Sequence, residues 1–65
     1  MSDIVAVVTT DRRKVRGGGA PVFCAENEQA AQSIAFALEK ILDASAHDLK
    51  NGVIIIVDHG GGEKH

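Results

Sequence analysis

In Asp3–Thr10 and in Val53–Val57 the apolar residues do not alternate with polar ones: Ile-Val-Ala-Val-Val in the first and Val-Ile-Ile-Ile-Val in the second. Successive side chains of a strand point to opposite faces, so each segment is a β-strand that needs cover on both sides. Ile4, Ala6 and Val8 then share one face of the first strand, and Val5 and Val7 share the other. A third, shorter strand is expected over 21–25, opened by Pro21, because a proline at the first residue or on an edge costs no ladder bond.

Only one segment has helical periodicity. From Asn27 to Ala46, Ala30, Ile34, Leu38 and Ile41 fall on one stripe at about 100° per residue, while Gln29, Gln32, Ser33, Glu39, Lys40 and Asp43 lie opposite. Asn27 is a natural N-cap and Glu28 suits the positive end of the helix dipole. Lys50-Asn51-Gly52 supplies the stop, since Asn and Gly tolerate the left-handed backbone of a C-terminal cap. Phe36 falls on the polar side, which marks it as a candidate partner contact.

The expected fold is therefore α+β with the order ββαβ. A three-stranded sheet in order 2-1-3 carries one long helix on one face, the first two strands are joined by a basic hairpin over 11–20, and a loose tail follows over 58–65. The chain is one domain of 65 residues. Ordering such a chain sets roughly 1.5 kcal/mol per residue against folding, which a core this small barely offsets alone. Aromatic burial is scarce, with two Phe and no Trp or Tyr, and the single Cys24 forms no internal disulfide. One helix covers one sheet face, so the other face is expected to be buried by homo-oligomerisation, with the edge of Val53–Val57 a candidate for pairing across a two-fold axis.

Functional signal is concentrated in the loop. Arg12, Arg13, Lys14 and Arg16 are four of the seven basic residues, in a chain of net charge −2. They are followed by Gly17, Gly18 and Gly19, whose successive amides can form an anion-holding concavity, while guanidinium groups grip phosphate or carboxylate by paired hydrogen bonds. This set is the candidate ligand-binding site, for an anionic small molecule or an acidic protein surface. The alternative is a solvated loop whose charges keep the chain soluble. No Gly-Lys-Ser/Thr follows the glycines, so no Walker loop is present.

Nucleic acid is a second candidate partner for the same loop, against which stand the negative net charge and the lack of aromatic residues among the arginines. A third reading is a small oligomeric enzyme with sites at subunit boundaries. Cys24 reads as a small buried hydrophobe and His47, at the helix end, as a dipole partner; His59 and His65 match no metal-ligand spacing. Neither a metal nor a cofactor is expected. No transmembrane run or secretory leader is visible, which makes cytoplasmic the expected location. A non-catalytic regulatory or accessory protein is the expectation that accommodates these features.

Overall fold

The structure is a computed structural model that describes residues 3–15 and 19–59. Its elements are β1 (Asp3–Thr9), a 3-10 helical turn (Arg12–Lys14), β2 (Val22–Cys24), α1 (Glu28–Leu42), β3 (Ser45–Asp48) and β4 (Val53–Asp58). The strands form one sheet in the order β2-β1-β4-β3. The α+β class, the single helix and the central position of β1 are as the sequence reading expects, and a fourth strand is added at the far edge.

β4 is therefore an interior strand, antiparallel to both neighbours, and has no free edge for two-fold pairing. β3 comes from residues 45–48, which the sequence reading assigned to the end of the helix. The helix instead stops at Leu42, and Asp43 takes the left-handed conformation at φ 54°, ψ 51°. Ser-Ala-His-Asp has no strand periodicity of its own; pairing with β4 outweighs local preference. Lys50 and Gly52, both at positive φ, belong to the β3–β4 turn and not to a helix cap.

The first connection is also different. β2 runs parallel to β1, with Val7 opposite Val22 and Thr9 opposite Cys24, so the two strands are not a hairpin. A two-residue hairpin turn would have forced antiparallel strands, whereas this longer segment lets the chain travel back before pairing. One consequence is that α1 starts at the end of the sheet where β1 finishes, beside the 12–14 turn. An antiparallel β2, as in the expected hairpin, would have started the helix at the opposite end.

The core lies between α1 and the middle strands: Ala6 and Val8 of β1, Ile54 and Ile56 of β4, and Ala31 and Ala35 of α1. Small residues on the helix let it approach the sheet closely. The strict alternation expected of β1 fails at its start, because Val5 is an extra residue between the pairs Ile4–Val57 and Ala6–Ile56. This bulge turns Val5 inward against the core and sends Ile4 to the helix-free face, 51% exposed. The helix stripe is also rotated from its expected position: Ala31 and Ala35 are buried, while Ile41 is 74% exposed.

The helix-free face is not bare. Val7, Thr9, Val53 and Val57, which alternate with the core residues and so lie on that face, are all buried within one chain. The premise that a second copy must cover them does not hold at these positions.

Candidate functional site

Thr9 anchors the basic turn. It is the one buried polar residue among those described, at 0% exposure. Its hydroxyl accepts from the Asp11 N–H at 3.0 Å, and it lies within donating distance of the Gly52 carbonyl at 3.1 Å and the Asp11 carbonyl at 3.0 Å. The Thr10 N–H donates to the Gly52 carbonyl at 3.0 Å, so the end of β1 is fastened to the β3–β4 turn. Gly52 sits at φ +92°, and a Cβ there would meet Thr10 Oγ1 at 3.1 Å and Lys14 Nζ at 3.4 Å, so the position favours glycine twice over.

Asp11 then caps the 3-10 turn. Its Oδ1 accepts from the Arg13 N–H at 3.0 Å and from Arg13 Nε at 3.1 Å, and Oδ2 accepts from Nη2 at 3.2 Å. The Arg13 side chain, foremost its hydrogen bond, holds the Asp11 carboxyl below the usual carboxylate range, and the same contact raises Arg13. Arg13 is thus partly neutralised by a bidentate partner. Lys14 Nζ donates to the Asn51 carbonyl at 2.6 Å, which brings the basic turn against the β3–β4 loop. Arg12 is exposed; its carbonyl accepts from the Val15 N–H at 3.3 Å, and its guanidinium has no partner among the described residues.

Of the seven candidate loop residues, Arg12, Arg13 and Lys14 therefore form one compact turn at the end of the sheet. Arg16, Gly17 and Gly18 lie outside the described residues. Gly19 does not share the positive φ of Gly52, and nothing lies near the place of its absent Cβ.

The same end carries Asp48 and the start of α1. Asp48 accepts from the Lys50 N–H at 2.8 Å and from Gln32 Nε2 at 2.8 Å, and the backbone bond from Lys50 is the main cause that lowers its carboxyl pKa. Asn27 caps the helix by accepting from the Ala30 N–H at 2.8 Å, as its side-chain chemistry leads one to expect.

Phe36 is 61% exposed on the outer surface of α1, with Lys40 Nζ 4.8 Å from its ring centroid. Cys24 is exposed on the edge strand, not sealed in the core as its neighbours in sequence implied. His47 sits on β3 with its ring 5.8 Å from that of His59 in an edge-to-face arrangement, and not at a helix terminus. Among the described residues no three His, Cys, Asp or Glu side chains converge on a metal-sized site, and no helix is long and apolar enough to cross a membrane.

Sequence comparison supplies what this geometry leaves open. Residues 1–59 match a family model described as the capping complex subunit for YIEGIA. The chain belongs to this YIEGIA capping-complex subunit family. A relative in the curated proteins is the uncharacterized protein YpzH of Bacillus subtilis (strain 168), 43% identical over 56 residues that span 86% of each chain. No solved structure matches. The family description speaks of a complex, and so of protein partners. The sequence reading also missed that, among the described residues, Ile4, Phe23, Ile41, Leu42 and Leu49 are exposed as well as Phe36. The bulge at Val5 exposes Ile4 and has no signature in the local sequence.

Proposed function

We propose that this chain is a non-catalytic accessory subunit that acts by binding another protein, the YIEGIA partner for which its family is described, and that the basic 12–14 turn meets an acidic surface of that partner. The family match carries the reading. The turn supports it chemically. The Arg12 guanidinium is unpaired among the described residues, and Arg13 holds one carboxylate while its side chain stays 88% exposed. Both are carried on a joint made rigid by Thr9, so an incoming carboxylate meets a positioned guanidinium. Phe36 is a second candidate contact, since an aromatic ring on a polar helix surface is typical of interface residues.

The test is binding of purified YIEGIA protein to the full chain by calorimetry. The Arg12→Ala, Arg13→Ala, Arg16→Ala triple variant should lose at least about tenfold in affinity, with a melting temperature nearly unchanged because exposed ion pairs contribute roughly 0–1 kcal/mol. Unaltered affinity in the triple variant overturns the role of the turn.

A further inference from the structure

β3 is an outer strand of the sheet, and among the described residues it pairs only with β4. Such an edge offers backbone groups to any strand that comes alongside. The Leu49 N–H donates to the Val53 carbonyl at 2.9 Å, and the same register sets His47 opposite Ile55 and Ser45 opposite Val57. Hydrogen bonding alternates along an antiparallel pair, so Ser45, His47 and Leu49 direct their backbone groups to β4. Ala46 and Asp48 direct theirs outward.

The outward Ala46 N–H is already taken. It donates to Glu39 Oε2 on α1 at 2.8 Å, in a partly buried bond. The backbone that carries this carboxylate is itself fixed, because the Glu39 carbonyl accepts from the Ala44 N–H at 3.1 Å. Gln32, two turns earlier on the same flank of the helix, donates to Asp48 Oδ2 at 2.8 Å. α1 is thus tied to β3 at both outward positions, and one of the two ties takes up a backbone donor of the edge.

A second copy of β3 fits this edge directly, since an edge can pair with itself across a two-fold axis. The register that uses every outward group sets Ala46 of one copy opposite Asp48 of the other. Half of the hydrogen bonds in that pairing would be donated by the two Ala46 amides. Each of these amides is held by its own Glu39, whose carboxylate oxygen stands where the incoming carbonyl oxygen would have to sit.

We propose that Glu39 guards the β3 edge: by accepting from the Ala46 N–H it withholds the donor that a second copy would need, so the chain does not extend its own sheet through β3. This removes β3 from the surfaces available for self-association. The guard uses none of the residues of the basic turn and stands apart from the binding role given to them.

The experiment follows the full chain by amide hydrogen exchange and sedimentation equilibrium. In the wild type the Ala46 amide, corrected for intrinsic rates, should exchange at least about tenfold more slowly than its outward counterpart at Asp48. Glu39→Ala should tighten self-association at least about tenfold, with both amides gaining protection as concentration rises. Glu39→Gln, which keeps an oxygen to accept from Ala46, should associate as the wild type does. Adding Ala46→Pro to Glu39→Ala deletes the donor, a change that an edge strand tolerates, and should reverse the association. The guard is overturned if Glu39→Ala folds and associates no more tightly than the wild type, if Glu39→Gln associates as Glu39→Ala does, or if the double variant stays associated. Equal exchange of the two amides in the wild type overturns it without any variant, and so decides the matter even where Glu39→Ala does not fold.

Discussion

Replacing Thr9 by Val exchanges a hydroxyl for a methyl of similar shape inside the joint that holds the basic turn. Two hydrogen bonds are lost: the one accepted from the Asp11 N–H, and the one donated to the Gly52 or Asp11 carbonyl, since a hydroxyl has a single proton. Gly52 keeps its bond from the Thr10 N–H, so the Asp11 amide is the group left without a partner. At about 1 kcal/mol net for each bond, with up to about 0.8 kcal/mol returned by the extra buried methyl, the loss is about 1–2 kcal/mol. That is a large share of the total for a chain this small, and it lowers the melting temperature by roughly 5–15 °C. Urea titration followed by circular dichroism measures it. Thr9→Ser, which keeps both bonds, separates the hydroxyl from the methyl. The amide of Lys14, which donates to the Asp11 carbonyl at 3.0 Å, should also exchange faster in Thr9→Val. A Thr9→Val variant as stable as the wild type, with Lys14 exchange unchanged, refutes the role of this joint.

Two further outcomes follow from local chemistry. Asp43→Gly should stabilise the fold by about 0.5–1 kcal/mol in urea titration, because glycine takes the left-handed backbone without penalty and a negative charge leaves the helix C-terminus. Asp48 and Asp11 have lowered folded-state pKa values, so the stability they contribute is fully present above the unfolded aspartate value of about 4 and is lost as pH falls through the lower folded values. Asp48→Asn should therefore flatten the acid limb of a stability-versus-pH curve below about pH 4 and leave the curve above pH 6 parallel to that of the wild type. An acid limb of unchanged steepness would count against the Lys50 amide contact.

The basic cluster was plain in the sequence as Arg12, Arg13, Lys14 and Arg16, but its division of labour was not. Which cation is engaged depends on Asp11 accepting from Arg13, two positions on, and on Asn51, 37 positions away from Lys14, accepting from it. Cys24 shows the same limit: flanking apolar residues suggested burial, yet a short edge strand leaves it in solvent. Ile41 fits the apolar helical spacing and is nonetheless exposed.

Local sequence alone determined that β1, β2 and β4 are strands, that Asn27 starts a helix and that Phe36 faces outward. Periodicity and capping chemistry act over a few residues, so each of these is written where it occurs. Tertiary structure decided the parallel course of β2, the bulge at Val5, the early end of α1 and the recruitment of residues 45–48 into β3. Each of these depends on which backbone groups remain unpaired once distant strands have met, and that is fixed only when the sheet closes.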